Sequence, residues 1–169
     1  MDLPRMIHRA YSDRVIGNLT KKRMKEVLAS VTHGHLACHA DGETYCVPIF
    51  YAYDGDHLYG HTYGGKKIAM MKKNPRVCVL VHTLKSLWNW ESVMVQGDFE
   101  QCHGKDAVHA IELLSERLHA SARKSAYYLG VVKNQDSHYF RRDHRPVIFY
   151  RIRIRSMTGR YERQGLTKL

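Results

Sequence analysis

Two acidic, glycine-containing turns constrain this chain more than any other feature. Asp41-Gly42 and Asp54-Gly55-Asp56 separate three short stretches, at 35–38, 44–53 and 57–62, the second rich in aromatic and β-branched residues. Asp-Gly between such stretches favours the tight turn whose twist matches two antiparallel strands. The three therefore read as strands. Pro48 lies inside the second, and because it lacks an N–H that strand must run along an edge or carry a bulge.

The rest of the chain alternates between helical and extended periods. Thr20 is placed to cap a helix over Lys21–Ser30, where Met24, Val27, Leu28 and Val31 repeat at helical spacing. Gly64-Gly65 opens a second helix over Lys66–Lys73, which Asn74-Pro75 stops. Residues 76–82 form a strand apolar enough for burial on both faces. A loop containing Trp88 and Trp90 leads to a strand at 92–100, where Gly97 suggests a bulge. Residues 105–120 read as an amphipathic helix on Val108, Ile111, Leu114 and Leu118. The last strong strand is 146–154, with a period of two from Tyr150. The expected fold is mainly β (α+β): one antiparallel barrel of about six strands with flanking helices. No composition break or repeat divides it, so residues 1–169 read as a single domain with residues 1–19 as an N-terminal arm. The irregular segment 121–145, with Tyr127-Tyr128 and His138-Tyr139-Phe140, reads as either a lid or an arm clasping a partner.

Composition narrows the class. The chain is 44% hydrophobic and 25% charged, which excludes a disordered or fibrous chain. No apolar run approaches the ~20 residues of a membrane span, and the first residues lack a secretory signal's apolar core. A cytoplasmic protein without membrane association is expected. Cys38, Cys46, Cys78 and Cys102 stand apart and read as buried small residues or free thiols. With 27 Lys and Arg against 16 Asp and Glu, the formal charge of +11 attracts anions.

Residues 47–81 carry the chemistry. A strand ends at His61-Thr62, a Gly-Gly loop follows, and Lys66 and Lys67 occupy the first helical turn. Glycines permit close backbone approach, unpaired helix N–H groups point outward, and lysines supply charge: together these form a small anion cradle suited to a phosphate monoester. Spacing alone equally fits a plain surface turn, and the GxxxxGK[ST] pattern is absent.

Val47, Pro48, Ile49, Phe50 and Tyr51, then Leu58-Tyr59-Gly60-His61-Thr62, Gly65-Lys66-Lys67 and Asn74-Pro75-Arg76-Val77, occur in the order seen in the pyridoxamine 5′-phosphate oxidase-related FMN-binding split-barrel family, which this chain resembles. Trp90-Glu91-Ser92-Val93, Gly97 and the terminal run through Thr158-Gly159-Arg160 fit its nitroimidazole-resistance (Nim) reductase branch. The resemblance spans roughly residues 10 to 162. It implies an FMN-type split barrel forming a homodimer, with each flavin in a groove at the interface. It also implies that Val47, Pro48, Ile49, Phe50 and Tyr51 flank the ring with their backbone. His61 and Thr62 would lie by the phosphate and ribityl chain, with Lys66 and Lys67 holding the phosphate. Trp90 and Ser92 would supply flavin contacts near the interface. The implied activity is an FMN-dependent oxidoreductase of a small organic substrate, nitroreductase-like or pyridoxamine-phosphate-oxidase-like, with NAD(P)H as candidate donor. The oxidase's C-terminal tryptophan and arginine segment has no counterpart here, which argues against vitamin B6 oxidation.

Other readings compete. A flavin carrier without turnover would share the phosphate site, and some relatives bind heme instead. A basic barrel with aromatics can bind single-stranded nucleic acid, but here the aromatics are spread through apparent core strands. His33, His35 and Cys38 crowd one stretch, yet their parity places them on different faces of a strand, so no metal site is expected. Trp88 and Trp90 serve either packing or flavin contact. His61 is either a proton donor to substrate or a hydrogen-bonding phosphate ligand.

Overall fold

In the computed structural model, residues 14–121 and 147–164 are described. Asp41 (φ 53°) and Gly42 (φ 79°) both take positive φ, turning β2 (His33–Ala40) directly into β3 (Glu43–Phe50). Ala40 faces Glu43 across this two-residue loop. The Asp54 carboxylate accepts from the backbone N–H groups of Asp56 and His57, at 2.8 and 2.7 Å. That side-chain turn joins β4 (Ala52–Tyr53) to β5 (His57–Tyr63).

The helices follow their local signals. In α1 (Lys21–Ser30) the Thr20 hydroxyl accepts from the Arg23 N–H at 3.2 Å, and Met24, Val27 and Leu28 are buried. Helix α2 (Lys66–Lys73) buries Ile68, Met70 and Met71 and stops at Asn74. Helix α3 (Gly104–Ser121) packs through Ala110, Ile111 and Leu114 against Ala52, Tyr59 and Cys102. Its buried stripe is rotated from the expected one: Val108 is exposed, because this small cluster meets the 107, 110, 111, 114 row.

Three expectations change in the sheet. The tryptophan-rich loop is the tip of a long hairpin, with only Leu87 and Trp88 between β6 (Arg76–Ser86) and β7 (Asn89–Gln101). Strand β6 is not buried on both faces. Val77, Val79 and Val81 point inward, whereas Leu80 is 36% exposed opposite Met94 at 42%. The last strand, β8 (Val147–Gln164), has 18 residues, and β1 (Arg14–Asn18), from the segment read as an arm, pairs with its far end. Among the described residues there are thus eight strands, not about six, in the order β3-β2-β6-β7-β8-β5-β4 with β1 beside β8.

This mainly antiparallel sheet curls around the core without closing. Its two ends, β3 and β4, are separated in sequence only by Tyr51. Tyr51 is wholly buried, its N–H donating to the Thr32 carbonyl and its hydroxyl to the Leu28 carbonyl, so the bend is pinned to the end of α1. Pro48 sits on β3, an edge strand, where its missing N–H breaks no ladder. The expected bulge is present: Gln96 faces Ser156 and Gly97 faces Ile154, leaving Arg155 as the extra residue. Only glycine fits at 97, since a Cβ would lie 2.6 Å from the Arg153 carbonyl oxygen.

Ion pairs close the far end of β7 and β8. Arg23 binds Glu91 through Nε and Nη2, at 3.0 and 2.6 Å, and Arg163 adds a contact at 3.3 Å. The Arg23 hydrogen bond holds the buried Glu91 carboxyl below the usual carboxylate range. A lowered folded-state value stabilises the protein above the unfolded carboxylate pKa, ~4.3, and that stabilisation is lost as pH falls through the folded value. Glu91→Gln should therefore lower stability at neutral pH by about 1–2 kcal/mol, Arg23 being half exposed. Denaturant titration at neutral pH and again near pH 3 should show the difference between the two proteins shrinking in acid.

Candidate functional site

The anion cradle forms where β5 gives way to α2. Pairing with β8 places His61 opposite Phe149 and Thr62 opposite Ile148. Gly64 and Gly65 then lead into the helix. Gly65 is the N-cap and supplies no side-chain cap, so the first N–H groups of α2 lack that partner. A Cβ at Gly64 or at Gly65 would meet nothing within 4 Å, so the space in front of the helix is open.

The two lysines differ. Lys66 is exposed, pairs with Glu43 of β3 at 2.5 Å and lies 5.1 Å from the Tyr45 ring centre. Lys67 is half-buried with its Nζ 5.7 Å from the Tyr150 ring centre, and it makes no ion pair among the described residues. Burial pushes its pKa down. An ammonium group desolvated without a counter-charge is costly, and an arriving anion relieves that cost.

His61 is half-buried, its ring 6.2 Å from that of Phe149. Burial first, and the Lys67 charge second, push its pKa below the ordinary imidazole value. At neutral pH the imidazole is therefore uncharged. The Thr62 hydroxyl donates to the Tyr63 carbonyl at 3.0 Å. Beneath the cluster lies Tyr150, almost fully buried, whose hydroxyl has no hydrogen-bond partner among the described residues. It fills the space left by Gly60, where a Cβ would stand 2.5 Å from that oxygen.

Strand β3 adjoins the cradle through Glu43 and Tyr45. Ile49 and Tyr51 send their side chains into the core, Val47 is half-buried, and Pro48 and Phe50 lie on the outer face with His33 and His35. As the terminal strand of the order, β3 keeps one backbone edge outside the ladder.

Trp90 and Ser92 are elsewhere in this chain. They lie near the start of β7, whereas the cradle neighbours its end, where Gln101 faces Tyr150. Eleven residues of strand separate Trp90 from Gln101, on the order of 35 Å. Trp90 donates its indole N–H to Glu162 at 3.0 Å, and Trp88 lies under the Arg14 guanidinium at 3.9 Å. The structure thus joins His61, Thr62, Lys66 and Lys67 beside β3 and leaves the tryptophan end apart. Sequence reading missed Glu43, Tyr45, Phe149 and Tyr150 as cradle neighbours. Only strand register brings them there. Among the described residues, no group of three or more His, Cys, Asp or Glu is placed to hold a metal ion. No described helix is long and apolar enough to cross a membrane.

The fold defines a split-barrel protein, with Gly64, Gly65, Lys66 and Lys67 at one barrel end. The chain belongs to the pyridoxamine 5′-phosphate oxidase family, whose profile matches residues 20–161. An uncharacterised protein of Rhizobium meliloti is 32% identical over 105 residues, 59% of this chain and 69% of that protein. A FAD-binding protein of Mesorhizobium loti is 29% identical in sequence and superposes with a TM-score of 0.67, covering 89% of this chain and 99% of its own. A Bacteroides thetaiotaomicron protein named for 5-nitroimidazole antibiotic resistance shares the fold at 20% identity (TM-score 0.64; 88% and 89% covered). A FAD and heme binding protein of Mycobacterium smegmatis shares it at 15% identity (TM-score 0.64; 94% and 77% covered).

The half-buried Lys67, without an ion pair among the described residues, costs the fold stability. Lys67→Met should raise the stability of the anion-free protein by about 0.5–1 kcal/mol. It should also abolish most of the stabilisation that added inorganic phosphate gives the parent. Denaturant titration with and without phosphate measures both.

Proposed function

We propose that this chain is a flavoprotein that binds FMN and acts as an oxidoreductase of a small organic substrate. One observation carries the reading: Lys67, desolvated and without an ion pair among the described residues, lies in the first turn of α2, just after the open Gly64-Gly65 stretch. A terminal phosphate monoester fits three converging features, charge, free N–H groups and space. Lys67 would neutralise it, Lys66 would join once released from Glu43, and Thr62 and His61 would border it. The FAD-binding relative from Mesorhizobium loti supports a flavin; the resemblance of residues 47–77 to the FMN-binding split-barrel pattern favours FMN over its dinucleotide.

A homodimer completes the site. Leu80, Met94, Leu84 and Leu87 leave an apolar strip exposed on the outer face of β6 and β7, the face that also carries Trp90 and Ser92. A two-fold partner laid on this face would cover the strip and bring its own Trp90 and Ser92 toward the β3 edge. When bound, the flavin supplies the electron chemistry, with NAD(P)H as the proposed donor. The protein's part is to hold and exclude. The β3 edge presents backbone groups, and Lys67 anchors the phosphate end. His61, uncharged at neutral pH, holds a nitrogen that can hydrogen-bond the phosphate or exchange a proton with substrate.

The purified protein should be yellow and release FMN on denaturation; release of FAD alone would overturn the FMN assignment. Lys67→Ala should weaken FMN binding about ten- to a hundred-fold, while riboflavin should bind weakly to both proteins. Anaerobic mixing with NADPH, then NADH, should bleach the flavin if the protein is a reductase. His61→Gln keeps hydrogen bonding but cannot titrate. If His61 moves a proton, turnover should fall and lose its pH dependence on the acid side of the ordinary imidazole range while FMN affinity holds. Collapse of affinity with unchanged turnover of the loaded protein would make His61 a phosphate ligand only.

A further inference from the structure

We propose a second anion site, apart from the cradle. A cavity of about 330 Å³ between α1, the β4–β5 turn and the β8 bulge binds a phosphate ester of a small hydroxylated molecule, of the nucleoside monophosphate class. It lies at the Asp56 end of β5, six residues and on the order of 20 Å along the strand from Thr62.

Three cationic side chains from two elements line it: Lys21 and Lys25 from α1 and Arg155 from β8. Lys21 and Lys25 stand one helical turn apart on the same face. Their neighbour Arg23 is neutralised by Glu26 and Glu91, but neither lysine makes an ion pair among the described residues. Arg155 is there because of the bulge, being the residue that the register shift leaves without a partner on β7. Gly97, where no Cβ fits, holds that bulge in place, so the arginine's placement is built into the strand pairing. Asp98 is the only carboxylate within 4 Å of it among the described residues, at 3.8 Å, and Asp98 is already bonded by Arg153 at 2.8 Å.

The remaining lining defines the rest of the ligand. Met24, Ile154 and Met157 give an apolar floor suited to a flat ring. Asp56 is the one acidic side chain in the wall. It repels a bare oxyanion and accepts from a hydroxyl or amino group. Cations, apolar floor and one acceptor together match a phosphorylated, hydroxyl-bearing ring compound better than a free inorganic anion.

Equilibrium dialysis of the purified protein against adenosine 5′-monophosphate tests this, with adenosine and inorganic phosphate as comparisons. A single saturable site is expected, with adenosine and phosphate each at least about ten-fold weaker. Arg155→Ala and Lys25→Ala should each weaken the nucleotide about ten-fold and leave flavin content unchanged, whereas Lys67→Ala should leave nucleotide binding intact. The proposal is overturned by absence of saturable binding up to about 5 mM, or by unchanged affinity in both the Arg155 and Lys25 variants. Phosphate binding as tightly as the nucleotide overturns the ligand class. Loss of binding in Lys67→Ala would place the nucleotide in the cradle instead, and overturn the second site.

Discussion

The backbone ladder of β8 is the interaction on which the rest depends. Eighteen residues long, it pairs with β5 along its first part, with β7 through most of its length and with β1 at its end. An extended strand of that length reaches on the order of 60 Å, so what it organises at one end cannot touch what it organises at the other. At its start it sets Phe149 and Tyr150 beside His61 and Lys67. At its end it sets Tyr161 and Glu162 beside Glu91 and Trp90. Twist and the Tyr51 bend bring β3 and β4 round this spine, and α1, α2 and α3 cover what the curled sheet leaves open.

Charge follows the same axis. At the far end the carboxylates of Glu91 and Glu162 are buried and fully engaged, with Arg23 and Arg163 on one and Arg14 and Trp90 on the other. Such pairs offset their desolvation by several hydrogen bonds and serve the fold. At the cradle end Lys67 is desolvated over Tyr150 without a carboxylate partner among the described residues, beside an imidazole kept neutral by the same burial. The two ends of the barrel thus have opposite characters: at one the cations are engaged by carboxylates, and at the other Lys67 makes no ion pair among the described residues. The proposed anion site rests on that contrast more than on the net charge.

The outer face of β6 and β7 has its own logic. Residues 76–82 are apolar enough to look buried on both sides, yet in one chain only the inward row of Val77, Val79 and Val81 is covered. A sequence can state that both faces of a strand are apolar; it cannot state which molecule covers the second. Leu80 and Met94, opposite one another in the ladder, mark where the chain's own core runs out.

What the sequence determined alone is what neighbouring residues decide among themselves. The Thr20 cap, the Asp41-Gly42 hairpin, the helix start after Gly64-Gly65, the stop at Asn74-Pro75 and the Gly97 bulge depend on backbone preferences within a few residues, and all were legible before any contact was known. The length of β8, the strand made from residues 14–18 and the rotated face of α3 were not, because each is set by a partner far along the chain. The same holds within the cradle. Two adjacent lysines look alike in sequence, but Glu43 reaches Lys66 from 23 residues away while Tyr150 lies beneath Lys67 from 83 away. Only tertiary structure could decide which of them is left in want of an anion, because desolvation and counter-charge depend on strand register and on nothing local.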